Sequence, residues 1–280
     1  MPIVLALGCA LLWGTADFIG GSASRRAPAS VVLLWSIVVV LPIVVVVAVA
    51  SGDLRPLTAA TGWGLVAGVS ACLGILSLYR GLATGVMGVV APVASTSVIV
   101  PVVVGLLTGS SIGVLCASGI VLAVVGVVLA GGPNLRDFRS GGHRPLMAAI
   151  GAAAGIGVSL VAVARGSEIS TATTLVSSRF AYLLVLVPLL VATSTSARST
   201  TDRTTLVMAV LAGLGDVAAV GLFGVATRTG PLAVTAALAS MFPITTLVLA
   251  RRFHGERLTR EQGIGVALAL VGVVVIVATQ

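Results

Sequence analysis

Three ionisable residues, Asp17, Arg179 and Asp216, lie within long apolar stretches of the 280-residue sequence. An aspartate in such a place can exchange a proton or bind a solute's ammonium group, and the planar guanidinium of an arginine suits a carboxylate. A charge at the centre of a membrane-spanning helix costs about 2.5–3.5 kcal/mol, so it tends to be kept for a partner, a pathway or a proton. These three residues are therefore the first candidates for a functional site.

Asp216 stands in the middle of its apolar stretch, and its small neighbours Gly213 and Gly215 would let another helix approach closely. One interpretation places it in a central cavity, where it binds a proton or a substrate amine; the other is a structural ion pair with Arg179. Arg179, in the segment 177–182, can bind a solute's carboxylate, serve as the fixed counter-ion of Asp216, or extend to the membrane interface. The sequence leaves these alternatives open.

Asp17 lies toward the end of the first apolar stretch. It either faces the cavity or balances Arg25 and Arg26 at the membrane interface, where a charge is cheap to keep. Trp13 precedes it by one helical turn and shares its helix face, where an indole can stack on a solute or pack in the core.

Hydroxyl groups complete the set of candidates. Ser95 and Ser97 lie between Pro92 and Pro101 in one apolar stretch, and Ser240 lies in another. Prolines free backbone carbonyls that hydroxyls can bond again, so such stretches suit a cavity wall, although hydrogen bonding between helices explains them equally well. The candidates for substrate binding or coupling are Asp216, Arg179, Asp17, Trp13, Ser95, Ser97, Tyr182 and Ser240.

Composition indicates that these residues belong to a membrane protein. Hydrophobic residues make up 58% of the chain and charged residues only 9%, which is too little polar surface for a protein that faces water on all sides. The net charge of +8 comes from arginines spread through short breaks, which suit topology determinants better than a nucleic-acid surface. The three cysteines and two histidines are scattered, so we expect no catalytic set, metal or cofactor.

Charged and turn-rich breaks divide the chain into ten apolar stretches, each long enough to cross about 30 Å of hydrocarbon. Their length, with apolar residues on both parities, favours helices over the short alternating strands of a barrel. The predicted spans are 2–21, 29–50, 59–79, 86–108, 112–131, 146–164, 171–192, 205–225, 231–250 and 261–279.

The two sides of the polar break 132–145 look related. The segment 119–129 matches 265–275, with the same glycine spacing, and Pro101 in the fourth span corresponds to Pro243 in the ninth. These pairs keep the same order along the chain, which indicates an internal duplication.

Five spans in each half give the second half the opposite orientation in the membrane. This is the inverted-repeat plan of many secondary transporters, which hold their substrate near the midplane between the halves. We therefore predict an all-α integral membrane protein of about ten transmembrane helices, with a first five-helix repeat at 1–131, a connecting loop at 132–145 and a second, inverted repeat at 146–280.

Arginines are distributed unequally over the two membrane faces of this topology. Twelve lie in breaks on the face opposite the termini and three on the face that holds them. The positive-inside rule then places both termini outside the cytoplasm. Every basic residue is an arginine, and the richness in Ala, Val and Gly is typical of a high-GC bacterial genome, so we expect a multi-pass protein of a bacterial plasma membrane.

Short motifs resemble the EamA family of the drug/metabolite transporter superfamily over nearly the whole chain. They are segment 13–18 (Trp-Gly-Thr-Ala-Asp-Phe), segment 255–259 (Gly-Glu-Arg-Leu-Thr) and the glycines of the tenth span, Gly263, Gly265 and Gly272. The corresponding first-half turn, 109–111 (Gly-Ser-Ser), lacks the usual charges. The resemblance implies a secondary transporter, often an exporter of amino acids or other small metabolites. It also implies cytoplasmic termini, contrary to the arginine count.

The expected function is thus an exporter of amino acids or other small metabolites that works by alternating access, with the lipid bilayer and a small solute as its partners. Coupling to protons is a hypothesis that follows from Asp216 and Asp17. The chain carries no GxxxxGK[ST] segment for driving a pump with ATP. The alternatives are a membrane-embedded enzyme, which usually clusters Asp, Glu or His, and a passive channel or accessory subunit. We expect a monomer or homodimer.

Overall fold

The computed structural model describes residues 1–83, 96–108, 113–130, 143–193, 202–254 and 260–279, and within these ranges every regular element is a helix. A 3-10 turn at Thr96–Val98 leads directly into the fourth α-helix. The α-helices are α1 (Pro2–Ser24), α2 (Ala29–Ala50), α3 (Ala59–Ala83), α4 (Ile99–Leu107), α5 (Val114–Ala130), α6 (His143–Ile169), α7 (Thr171–Ala192), α8 (Arg203–Thr229), α9 (Leu232–Ala239), α10 (Phe242–His254) and α11 (Arg260–Ala278).

The helices confirm the prediction of an all-α membrane protein. Eight segments of the described ranges are long and apolar enough to cross a membrane, and two shorter apolar helices, Thr96–Leu107 and Val114–Ala130, coincide with the fourth and fifth predicted spans. α2 and α7 begin and end at the predicted residues. The start of the fourth predicted span, including Ser95, lies outside the described residues.

The ninth predicted span is interrupted at Ser240 and Met241, between α9 and α10. Pro243 stands in the first turn of α10, where the missing N–H removes no helical hydrogen bond. The amide of Ser240 donates to the carbonyl of Ala236, and that of Met241 donates to Leu238. The backbone therefore stays bonded across the break, as it must where no water is present.

Helices from the two halves of the chain pack against one another in matching pairs. α1 packs extensively on α8, as α3 does on α6; α5 packs on α11, and α2 packs on α7. If each span of the first half is exchanged with its counterpart in the second half, the α1–α8 pair becomes the α6–α3 pair. The α5–α11 and α2–α7 pairs stay the same. This pattern agrees with an inverted repeat, while the boundaries 1–131, 132–145 and 146–280 stay a prediction.

Glycines bring α5 and α11 into backbone contact. A Cβ atom on Gly126 would lie 2.7 Å from the carbonyl oxygen of Gly265, and one on Gly272 would lie 2.7 Å from that of Gly119. The contact is reciprocal, since a Cβ on Gly265 would lie 2.7 Å from the carbonyl oxygen of Gly126. These four glycines are the ones that align between the halves of the sequence, so the related segments pack antiparallel on each other.

Two further glycine contacts, one in each half, are related by the same exchange of the halves. Gly14 of α1 packs on the carbonyl of Phe242, and Gly157 of α6 packs on that of Ser97, with no room for a Cβ at either glycine. Gly14 and Gly157 are 143 positions apart, and Ser97 and Phe242 are 145 apart. Equivalent positions of the two halves thus make equivalent backbone contacts.

Gly265→Ala should destabilise the protein, because its Cβ would lie 2.6 Å from the carbonyl carbon of Leu129. Overpacking of this kind costs about 1–3 kcal/mol. Gly263→Ala is the matched control, since a Cβ at Gly263 meets nothing within 4 Å. We expect a lower thermal midpoint for the purified protein in detergent with the first substitution and no decrease with the second. Equal midpoints for both variants would contradict the close contact of α5 with α11.

Candidate functional site

A buried ion pair joins the two central candidates. Nη1 of Arg179 donates to Oδ2 of Asp216 at 2.6 Å. The side chain of Arg179 is 3% exposed and that of Asp216 is 24% exposed. Asp216 is the central residue of α8, which spans Arg203–Thr229, so the pair lies near the middle of the membrane. Of the alternatives for Arg179, extension to the interface is therefore excluded.

Trp13 holds the second oxygen of the same carboxylate. Its indole Nε1 donates to Oδ1 of Asp216 at 3.1 Å. The indole also packs against two phenylalanine rings, with centroids 5.8 Å away at Phe223 and 6.3 Å away at Phe242. Trp13 thus combines packing with a hydrogen bond, and each oxygen of Asp216 accepts one bond from a fixed donor.

Tyr182 supports the guanidinium from its own helix. The guanidinium carbon of Arg179 lies 5.2 Å from the centre of the Tyr182 ring, and this tyrosine is buried. A cation over a desolvated aromatic face gains about 2 kcal/mol. Among the described residues, Nε of Arg179 is buried without a hydrogen-bond partner. The guanidinium is thus held by Asp216 and Tyr182 and keeps one unused donor.

A small pocket adjoins the ion pair and reaches Asp17. Its lining comes from α1, α2, α3, α7 and α8, and its free space amounts to about 30 Å³, which admits water but not a metabolite. Asp17 is half-buried and, within the part of the chain that the structure describes, makes no hydrogen bond or ion pair. The polar side chains of the lining are Asp17, Ser36, Arg179, Tyr182 and Asp216.

The small residues near Asp216 bring the neighbouring helices close, as the sequence suggested. A Cβ on Gly213 would lie 2.8 Å from the Cβ of Ser36 on α2, and one on Gly215 would lie 3.2 Å from the Cβ of Ala16 on α1. α8 therefore approaches both helices at the level of its carboxylate.

The structure places two of the hydroxyl candidates elsewhere. Ser97 and Ser240 are buried, and neither belongs to the pocket lining. The hydroxyl of Ser240 donates to the carbonyl of Ala237 at 2.7 Å, which supports the break between α9 and α10. Sequence reasoning missed Ser36, although a hydroxyl within so apolar a stretch itself indicates a possible cavity wall.

Residues 143–278 match the EamA-like transporter family. This segment is an EamA-like transporter domain. It comprises α6 to α11 and carries Arg179, Tyr182 and Asp216, whereas Trp13 and Asp17 come from α1, ahead of it. EamA is a family of transporters and not of enzymes. The EamA-like domain therefore makes the protein a multi-pass membrane transporter of the secondary class, acting on a small solute in a lipid bilayer, and the resemblance predicted from the sequence is confirmed over residues 143–278.

The fold extends beyond the EamA-like domain to the whole chain. A solved structure, described only as a crystal structure of a protein, matches this chain with a TM-score of 0.80 and 15% sequence identity. The match covers 99% of this chain and 97% of the other. At this identity the likeness shows the fold alone. No curated protein matches the sequence.

Arg179→Met and Asp216→Leu should each destabilise the protein by about 3–5 kcal/mol, because each leaves a buried charge without its partner. The double variant should lose much less than the sum of the two, since it removes both charges. A double-mutant cycle on unfolding in detergent measures this coupling. Additive losses would contradict a strong pairing of the two side chains.

Proposed function

We propose that this transporter exports amino acids or other small metabolites that carry an ammonium group, by alternating access, across a bacterial plasma membrane. The observation that carries the proposal is the charge of the central pocket. Among the described residues, two carboxylates, Asp17 and Asp216, share it with one guanidinium, that of Arg179. An isolated negative charge in a low-dielectric site is costly, so the pocket favours a positively charged group.

The same charge supports coupling to protons. When no solute is bound, a proton on one carboxylate balances the pocket; when the solute arrives, its ammonium group takes over that role. Solute and proton then occupy the site in turn, which is the requirement for exchanging one against the other. The small volume of the pocket favours compact solutes over bulky aromatic cations.

Contacts between the halves support alternating access. At the face where α1 begins, the α2–α3 connection is bonded to the start of α7: the amide of Arg55 donates to the hydroxyl of Thr173 at 2.6 Å, and the amide of Ala172 donates to the carboxylate of Asp53 at 3.4 Å. The hydroxyl of Ser170 also donates to the carbonyl of Asp53. Several hydrogen bonds thus join the two halves at this face.

At the opposite face, the described residues include an exposed ion pair. There the α1–α2 connection meets the start of α8 through Arg26 and Asp202, whose charged atoms are 4.0 Å apart and whose side chains are 57% and 58% exposed. Exposed pairs of this kind contribute about 0–1 kcal/mol. We therefore infer that the hydrogen bonds at the face where α1 begins must break before the transporter can open there.

Counterflow in liposomes that contain the purified protein tests the proposal. Labelled leucine, isoamylamine and isocaproate are similar in size and differ in their charged groups, and other amino acids extend the panel. We expect saturable exchange of amine-bearing compounds, no exchange of isocaproate, and a rate that depends on pH. Liposomes without protein are the control.

Two results would overturn this function. Exchange of isocaproate in preference to the amines would contradict the charge of the site. Currents with single-channel steps in planar bilayers, without saturable counterflow, would identify a passive channel instead of a carrier.

A further inference from the structure

We infer that Asp17 is the carboxylate that binds the solute's ammonium group and that Asp216 is a fixed counter-ion of Arg179. The inference rests on the proposed function, because it assigns the cation-binding step of transport to one of two candidate side chains. It reverses the order suggested by the sequence, in which the central Asp216 is the more prominent candidate.

Asp216 is committed to partners within the protein. Its Oδ2 accepts from Arg179 at 2.6 Å and its Oδ1 accepts from Trp13 at 3.1 Å. Both donors are themselves held in place, Arg179 over the ring of Tyr182 and Trp13 against Phe223. If the carboxylate of Asp216 left Arg179 to bind a solute, the buried guanidinium would lose its counter-ion, which is strongly unfavourable.

Asp17 has no such commitment. It lines the pocket, and no other described residue donates a hydrogen bond to it. A carboxylate within the membrane without a cation of its own requires either a proton or a cation from outside the protein. Because Asp17 lies four residues after Trp13, it is about 6 Å farther along α1, toward the end of that helix.

The surroundings of Asp17 contain few other ionisable groups. Those that line the pocket with it are Asp216 on α8 and Arg179 and Tyr182 on α7. α2 and α9 carry no charged or titratable side chain. The described cation of α10, Arg252, lies 5.9 Å from the ring centre of Phe253, outside the pocket lining. The only described cation in the pocket is therefore already paired with Asp216.

Infrared titration of the full-length protein in lipid measures this role without any transport. The wild type should show a protonated-carboxyl band that disappears as pH rises, and saturating isoamylamine at fixed pH should remove the same band. Asp17→Asn should lack the band, Asp17→Glu should shift it, and Glu261→Gln, which changes an exposed carboxylate at the start of α11, should keep it. A full band in Asp17→Asn, or a wild-type band that isoamylamine leaves unchanged, would overturn the inference.

Counterflow of leucine and isoamylamine with the same variants provides the second test. Asp17→Asn should lower exchange at least tenfold and abolish its pH dependence, Asp17→Glu should retain part of both, and Glu261→Gln should match the wild type. Size-exclusion profiles verify that each variant is folded. Wild-type exchange with normal pH dependence in Asp17→Asn would contradict the assignment. Failure of the wild type to exchange any compound would instead remove the proposed function, while the infrared band still decides the role of Asp17.

Discussion

The bilayer interior offers no water to bond with, and this constraint governs both the fold and the site. Many serine and threonine side chains within the spans donate to backbone carbonyls three or four residues earlier, as Thr15 does to Leu11 and Ser70 to Val66. The break between α9 and α10 keeps its amides bonded for the same reason. The charge of Arg179 has no counter-ion on its own helix, so α1, α7 and α8 must meet at one level, where Asp216 pairs with Arg179 and accepts a hydrogen bond from Trp13.

Packing in this transporter follows the exchange of its halves, but its chemistry does not. At the offset that relates the starts of α2 and α7, Arg179 corresponds to Ile37, which lines the same pocket. At the offset between Gly14 and Gly157, Asp17 corresponds to Leu160, a buried core residue. The charges therefore sit on one side of a scaffold whose backbone contacts are repeated. Such an arrangement is what the proposed function requires, since each half could move as an equivalent body while one set of side chains met the solute.

Hydropathy was enough to predict the spans, because a helix that crosses lipid must be long, apolar and internally bonded whatever its neighbours. It was also enough to single out Asp216 and Arg179 as possible partners. The bond from Trp13 to Asp216 joins residues 203 positions apart, and no local pattern encodes such a contact. Ser97 and Ser240, which stay predicted candidates, lie outside the lining of this pocket. A buried hydroxyl that bonds its own backbone looks the same in sequence as one that faces a cavity. Ser36 was missed because a hydroxyl that lines a pocket looks the same in sequence as one that only bonds its own backbone.

The reciprocal glycine contacts between α5 and α11 bear on how such a chain can arise. Gly119 meets Gly272 and Gly126 meets Gly265, so each half presents the same surface to the other. A surface that complements itself is the isologous interface of a two-fold dimer, which a half-length chain can form with a second copy of itself. In such a dimer every ionisable residue would occur twice. The described arginine that faces two aspartates requires the two halves to differ, and joining the halves in one chain lets each of them diverge.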